Sequence, residues 1–159
     1  MKWRKWLENW DMTELKIKAP FLEMQWKPQE ADRDAAWGMY IELLTRITTQ
    51  YLAPEHGDEA TALESVHRLF DLTREIIKRG GVDCMEFTKI AVVVLNQVIR
   101  PFTAKWHTAF LKGAFKNARK RKEFRDELAV LQKKLRAYTG MLGDMAGVEQ
   151  DLLNVEEFQ

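Results

Sequence analysis

The chain has 159 residues, 46% hydrophobic and 31% charged, with a formal net charge of +1, the balance of one globular domain with a real core. That even charge excludes a general affinity for polyanions, so nucleic-acid binding would need a local basic patch. Cys84 is the only cysteine, which excludes internal disulfides and cysteine-cluster zinc sites and suits a reducing cytoplasm; nowhere do roughly 18 apolar residues run together as a membrane span needs.

Four of the six tryptophans lie in residues 1–28. Trp3, Trp6 and Trp10 fall at i, i+3 and i+7, one face of a short helix. Such a helix can lie on a membrane surface, clamp onto a partner, or pack on its own domain, and its mixed charge favours the last. No continuous apolar core marks a secretory signal. Glu14 to Ala19 alternates with period 2 before Pro20, an extended arm with no second strand to pair with.

The first long helix is expected over 32–52, with Ala36, Trp37, Tyr40, Ile41, Leu44, Ile47, Thr48 and Tyr51 on its inner stripe. Glu42 and Arg46 have the spacing of a salt bridge. Pro54 to Asp58 reads as a turn, with Asp58 the N-cap of a helix over 58–79. That helix turns Leu63, Val66, Phe70, Thr73 and Ile77 inward, holds His67 beside the stripe, and stops at Gly80-Gly81.

The third helix, 84–111, carries the most apolar run in the chain. Ile90 to Leu95 leave no polar face, so 89–99 is expected to be the most buried segment. Its second half turns polar, with Asn96, Arg100, Thr103 and His107 on one stripe. Pro101 lacks a backbone donor and clashes one turn back. The helix therefore kinks there, or ends at Ile99 and restarts with Pro101 at its first position.

The fourth helix, 117–142, has the most regular pattern. Phe124, Leu128, Leu131, Leu135, Tyr138 and Leu142 alternate spacings of four and three, a seam for a bundle or a second subunit. Residues 112–136 hold ten Lys/Arg against three Asp/Glu, and residues 143–159 form an acidic tail. The expectation is an all-α protein: an antiparallel four-helix bundle over 29–142 with a Trp-rich N-terminal arm, 1–28, packed on it.

Much chemistry is excluded by missing motifs. There is no HExxH, no Cys pair and no paired Glu-x-x-His, so no metal site is expected. Glycine-rich phosphate loops and GxSxG elbows are also absent, and no cofactor is expected. What remains is Arg100 and His107 with Asn96. An imidazole can take the proton of a 2′-hydroxyl while a guanidinium grips the phosphate with two hydrogen bonds, the chemistry of metal-independent RNA cleavage. Lys105, Arg119, Lys120, Arg121 and Lys122 would then hold the RNA backbone, and Trp106 would stack on a base.

Arg100-Pro-Phe-Thr-Ala-Lys-Trp-His107 reads R-x6-H and resembles the motif of the HEPN superfamily. The resemblance implies a helical bundle, commonly dimeric, whose active members are metal-independent RNases of bacterial defence and toxin–antitoxin systems. It implies that Arg100 and His107 are the catalytic pair, meeting those of a second subunit in a shared cleft. Pro101 departs from the polar residue that usually follows the arginine, and many members of the superfamily are inactive binding modules.

Two readings of the pair therefore stand together. In one, Arg100 caps freed carbonyls or pairs with Glu42, His107 bonds a backbone group, and Trp106 closes the end of the bundle. The protein is then expected to act through self-association or a protein partner, as a subunit of a defence system would. In the other it is an RNase.

Overall fold

Helices carry most of the computed structural model, which describes residues 1–10, 12, 17–52, 58–149 and 152–153. In chain order they are α1 (Trp3–Asn9), α2 (Glu30–Leu44), α3 (Glu59–His67), α4 (Leu69–Gly80), α5 (Met85–Val94), α6 (Arg100–Leu111) and α7 (Ala118–Ala146). Short 3-10 turns at Gly81–Cys84 and Ala114–Lys116 and a π turn at Leu95–Ile99 link them. The protein is all-α: among the described residues the only β feature is an isolated bridge between Lys2 and Gln25. No helix there is long and apolar enough to cross a membrane.

The 29-residue α7 is the spine. All six residues of its regular seam, Phe124, Leu128, Leu131, Leu135, Tyr138 and Leu142, are buried within the chain itself. Asn117 caps its first turn by accepting from the Lys120 N–H at 3.1 Å, as a short polar side chain does at an N-cap. Helix α2 packs along α7 and buries Asp32, Ala35, Ala36, Met39, Tyr40 and Leu43. This stripe lies to one side of the expected one, and Trp37 and Tyr51 are 47% and 75% exposed.

Helix α2 also ends eight residues sooner than its hydrophobic pattern. Thr45 donates to the Ile41 carbonyl, and Thr48 and Thr49 both donate to that of Leu43, at 3.1 and 2.7 Å. Hydroxyls that satisfy the last helical carbonyls remove the need for another turn. Gln132 of α7 then holds the following segment by donating to the carbonyls of Ile47 and Gln50 at 2.5 and 2.7 Å.

The helix expected over 58–79 is two helices, α3 and α4, divided at Arg68. Asp58 caps α3 through the Thr61 N–H at 3.0 Å, and the second half stops at Gly81, whose φ of 65° is available to glycine at little cost. Residues 53–57, which carry most of the expected preceding turn, lie outside the described residues, as do 14–16 of the expected extended arm and 150–151 and 154–159 of the expected acidic tail. Residues 17–19 form no strand, and α7 runs to Ala146, past the expected end of the last helix.

Trp3 and Trp6 of α1 are buried, and each indole N–H finds a carboxylate. Trp3 donates to Glu86 at 3.1 Å and Trp6 to Asp144 at 2.6 Å, while Trp26 stacks on Trp6. Trp10 rests on α7 at Gly140, where an added Cβ would lie 2.5 Å from its ring. One buried carboxylate organises the neighbouring helix ends. Asp32 accepts from the Gln29 N–H at 2.8 Å and from the Phe87 N–H at 2.9 Å, tying the start of α2 to α5.

The run 89–99 is not sealed on every side. Val92 is 42% exposed and Asn96 and Gln97 face solvent, whereas residues 138–143 of α7 are buried without a break. Nor does the helix end at Ile99. It passes Pro101 by a π turn in which the Arg100 N–H reaches back five residues to Leu95, a wider loop that keeps the helix continuous where proline offers no N–H.

Candidate functional site

The π turn sets the side chains that follow it. Arg100 opens α6, and its Nε and Nη2 both donate to the Asn96 amide oxygen, at 3.2 and 3.1 Å. Asn96 thus fixes the guanidinium from one turn back. Thr103, a turn further on, is buried and donates to the carbonyls of Ile99 and Arg100 at 3.4 and 3.2 Å. These are bonds of a helical threonine to its own preceding turn, and its role is structural. His107 is exposed.

Arg100 and His107 do not meet directly. Seven helical residues separate them by about 10.5 Å along the axis. The gap is bridged from the facing helix pair. The Arg100 guanidinium lies over the Phe70 ring, 4.8 Å from its centroid. Phe70 lies against His67, with ring centroids 5.7 Å apart, and the His67 ring stacks near-parallel to His107 at 6.5 Å. The row Arg100–Phe70–His67–His107 runs without interruption across the seam between α6 and the α3–α4 pair.

The break at Arg68 makes this row. It leaves His67 in the last turn of α3, which packs on α6, while Phe70 and Arg74 rise from α4. His67, Phe70, Arg74, Arg100, Thr103 and His107 line one open groove of about 240 Å³. A second hollow of about 300 Å³ lies on the other side of the two imidazoles, against Leu63, Glu64 and Phe110. Arg74 is ion-paired to Asp71 at 2.5 Å, with both side chains more than half exposed. Arg100 has no carboxylate partner among the described residues. Glu42, the partner considered for it from the sequence, is bonded to Arg46 at 3.0 Å.

The remaining expected site residues lie apart from this groove. Trp106 is 1% exposed and packs edge-on against Phe124, and its indole N–H donates to Glu127 at 2.6 Å. It closes the end of the core and has no face open to a base. Lys105 is paired with Glu127 and with Glu123, the latter at 3.4 Å, and the Glu127 carboxylate raises its ammonium above the ordinary value. Lys120 pairs with Glu123 at 3.1 Å and Lys122 with Asp126 at 2.8 Å. Arg121 donates to the Phe115 carbonyl at 3.0 Å, and Arg119 is exposed. Of these cations only Lys120 and Lys122 are paired with carboxylates of their own helix, and none of these residues lines the groove.

Sequence reasoning noted His67 but did not place it in the site, and it passed over Arg74. The signal for His67 was a second histidine beside an inward stripe, but only the fold sets it against His107. The described residues contain no group of three or more His, Cys, Asp or Glu able to hold a metal. Compared with protein-family models, curated proteins and solved structures, the chain matches none.

Proposed function

We propose that the chain is a metal-independent, HEPN-like endoribonuclease whose working groove contains Arg100 and His107. The observation that carries this reading is that both side chains line one solvent-open groove with a second imidazole and a second arginine. A phosphodiester needs a cation on its non-bridging oxygens and a base near its nucleophile. The groove supplies a guanidinium fixed by Asn96 and a basic imidazole on the same helix. RNA rather than DNA is the substrate class because the nucleophile available without a metal is the ribose 2′-hydroxyl. Chelator-treated protein is expected to cleave a single-stranded RNA and to leave the DNA of the same sequence intact. Equal cleavage of both strands, or loss of cleavage in chelator, contradicts the reading.

The broader arrangement fits an antiparallel bundle of four long helical segments, with the Trp-rich segment covering one end. A second reading, action through a second copy or a protein partner, is favoured by a different face. Met24, Val82 and Met85 are 53%, 81% and 48% exposed around one shallow hollow. The α7 seam and Trp3 and Trp6, which suggested association from the sequence, are already covered within the chain. Sedimentation as a monomer that persists at high protein concentration contradicts this second reading.

A further inference from the structure

A single base leaves RNA cleavage half catalysed. The 5′-oxygen departs as an alkoxide unless a second group protonates it, and an alkoxide is a poor leaving group. The groove holds one further side chain able to do this. Among the described residues His67 is the only other histidine, and histidine is the side chain that both gives and takes a proton near neutral pH. Its ring faces that of His107 at 6.5 Å, with an interplanar angle of 23°. No hydrogen bond joins the two rings, and both line the hollows on either side of them. A strand crossing this pair would set its phosphate toward Arg100 and Arg74. Its nucleoside would lie toward Leu63 and Phe110, the latter 41% exposed.

We propose that His67 is the second catalytic imidazole of this groove, the general acid that protonates the leaving 5′-oxygen of an RNA phosphodiester. The proposal rests on the endoribonuclease reading and adds a residue to it. Neutral His107 takes the proton of the 2′-hydroxyl, and the 2′-oxygen bonds to phosphorus. The bond from phosphorus to the 5′-oxygen breaks, and protonated His67 gives its proton to that oxygen. The products are a 2′,3′-cyclic phosphate and a 5′-hydroxyl. Nothing is oxidised or reduced, and proton exchange with water returns both imidazoles to their starting forms. The charged groups around His67 are Glu64, Arg68, Asp71 and Arg74 on its own helix pair, with Arg100 and His107 on α6.

The test uses the full chain and two oligonucleotides that differ in one atom, the bridging 5′-oxygen or a 5′-sulfur at the scissile linkage. Sulfur leaves as a thiolate and needs no acid. His67→Ala is expected to slow cleavage of the oxygen substrate by about 10²–10⁴-fold and to cleave the sulfur substrate at close to the wild-type rate. His107→Ala is expected to be slow on both. His67→Gln, which keeps much of the side-chain volume, should repeat the pattern of His67→Ala, and unchanged melting temperatures would exclude misfolding as its source. Equal losses on both substrates, or no loss on either, overturn the acid role while leaving the reading of Arg100 and His107 in place. Wild-type protein inert on both substrates overturns that reading and this proposal with it.

Discussion

The imidazoles of His67 and His107 lie 6.5 Å apart although 40 positions separate them and they belong to different helices. The break at Arg68 and the π turn before Arg100 make this meeting possible. One ends α3 at His67, and the other carries α6 past Pro101 without a stop. A π turn inside a helix is a frequent companion of a functional site, and here its immediate product is the pairing of Asn96 with Arg100.

Arg100 should be irreplaceable by lysine. The guanidinium spends two donors on Asn96 and lies over Phe70, while its planar fork still has donors for a phosphate. Lysine keeps the charge and loses the fork. Arg100→Lys is expected to lower RNA cleavage at least tenfold while shifting the melting temperature by no more than about 2 °C, since the side chain is exposed. Steady-state kinetics with a thermal melt checks both.

Two glycines should respond in opposite directions to the same change. Gly38, within α2, would carry a Cβ at ordinary contact distance from Ile76, 3.7 Å away. Gly38→Ala is therefore expected to stabilise by about 0.5–1 kcal/mol. At Gly140 the same methyl would meet the Trp10 ring at 2.5 Å, and overpacking should outweigh helix propensity. Gly140→Ala is expected to cost about 1–3 kcal/mol, measurable by denaturant titration. A stabilised Gly140→Ala would show that Trp10 does not rest on α7.

Alkaline pH should unfold the protein through Tyr138. Burial pushes its phenol well above the ordinary value of 10.0, so the folded state keeps a proton that the unfolded state releases. The stabilisation is fully present below the unfolded value. It is lost as pH rises above about 10, because the unfolded chain then binds fewer protons. Melting temperature should decline steadily over that range. Tyr138→Phe, which has nothing to ionise, should flatten the decline.

The sequence made some of these features readable and concealed others for physical reasons. The α7 seam was legible because one long helix samples its own period many times, and its six residues from Phe124 to Leu142 proved buried. The Asp58 cap and the Gly81 stop were legible because each depends on a local backbone need. The end of α2 was not. Thr45, Thr48 and Thr49 continue an apolar-looking pattern, yet their hydroxyls satisfy the carbonyls that end it. Trp37 was expected inside because its stripe overlaps that of Met39, Tyr40 and Leu43, and packing on α7 chose between them. Arg100 and His107 of the candidate groove, and Asn96 that holds Arg100, were legible from spacing on one helix. His67 and Arg74 were not, since they reach the groove only through tertiary contact. Trp106 looked like a stacking platform until its indole proved buried against Phe124 and bonded to Glu127.

The most direct measurement is cleavage of a single-stranded RNA by wild-type and His107→Ala protein in chelator, with a thermal melt of each. His107 is exposed, and among the described residues its one ring–ring contact is with His67, so its loss should cost little stability. The expected result is wild-type cleavage yielding cyclic phosphate ends, abolished in His107→Ala with the melting temperature unchanged. Wild-type protein that leaves the RNA intact, with His107→Ala melting several degrees lower, would contradict the account and return His107 to a structural role.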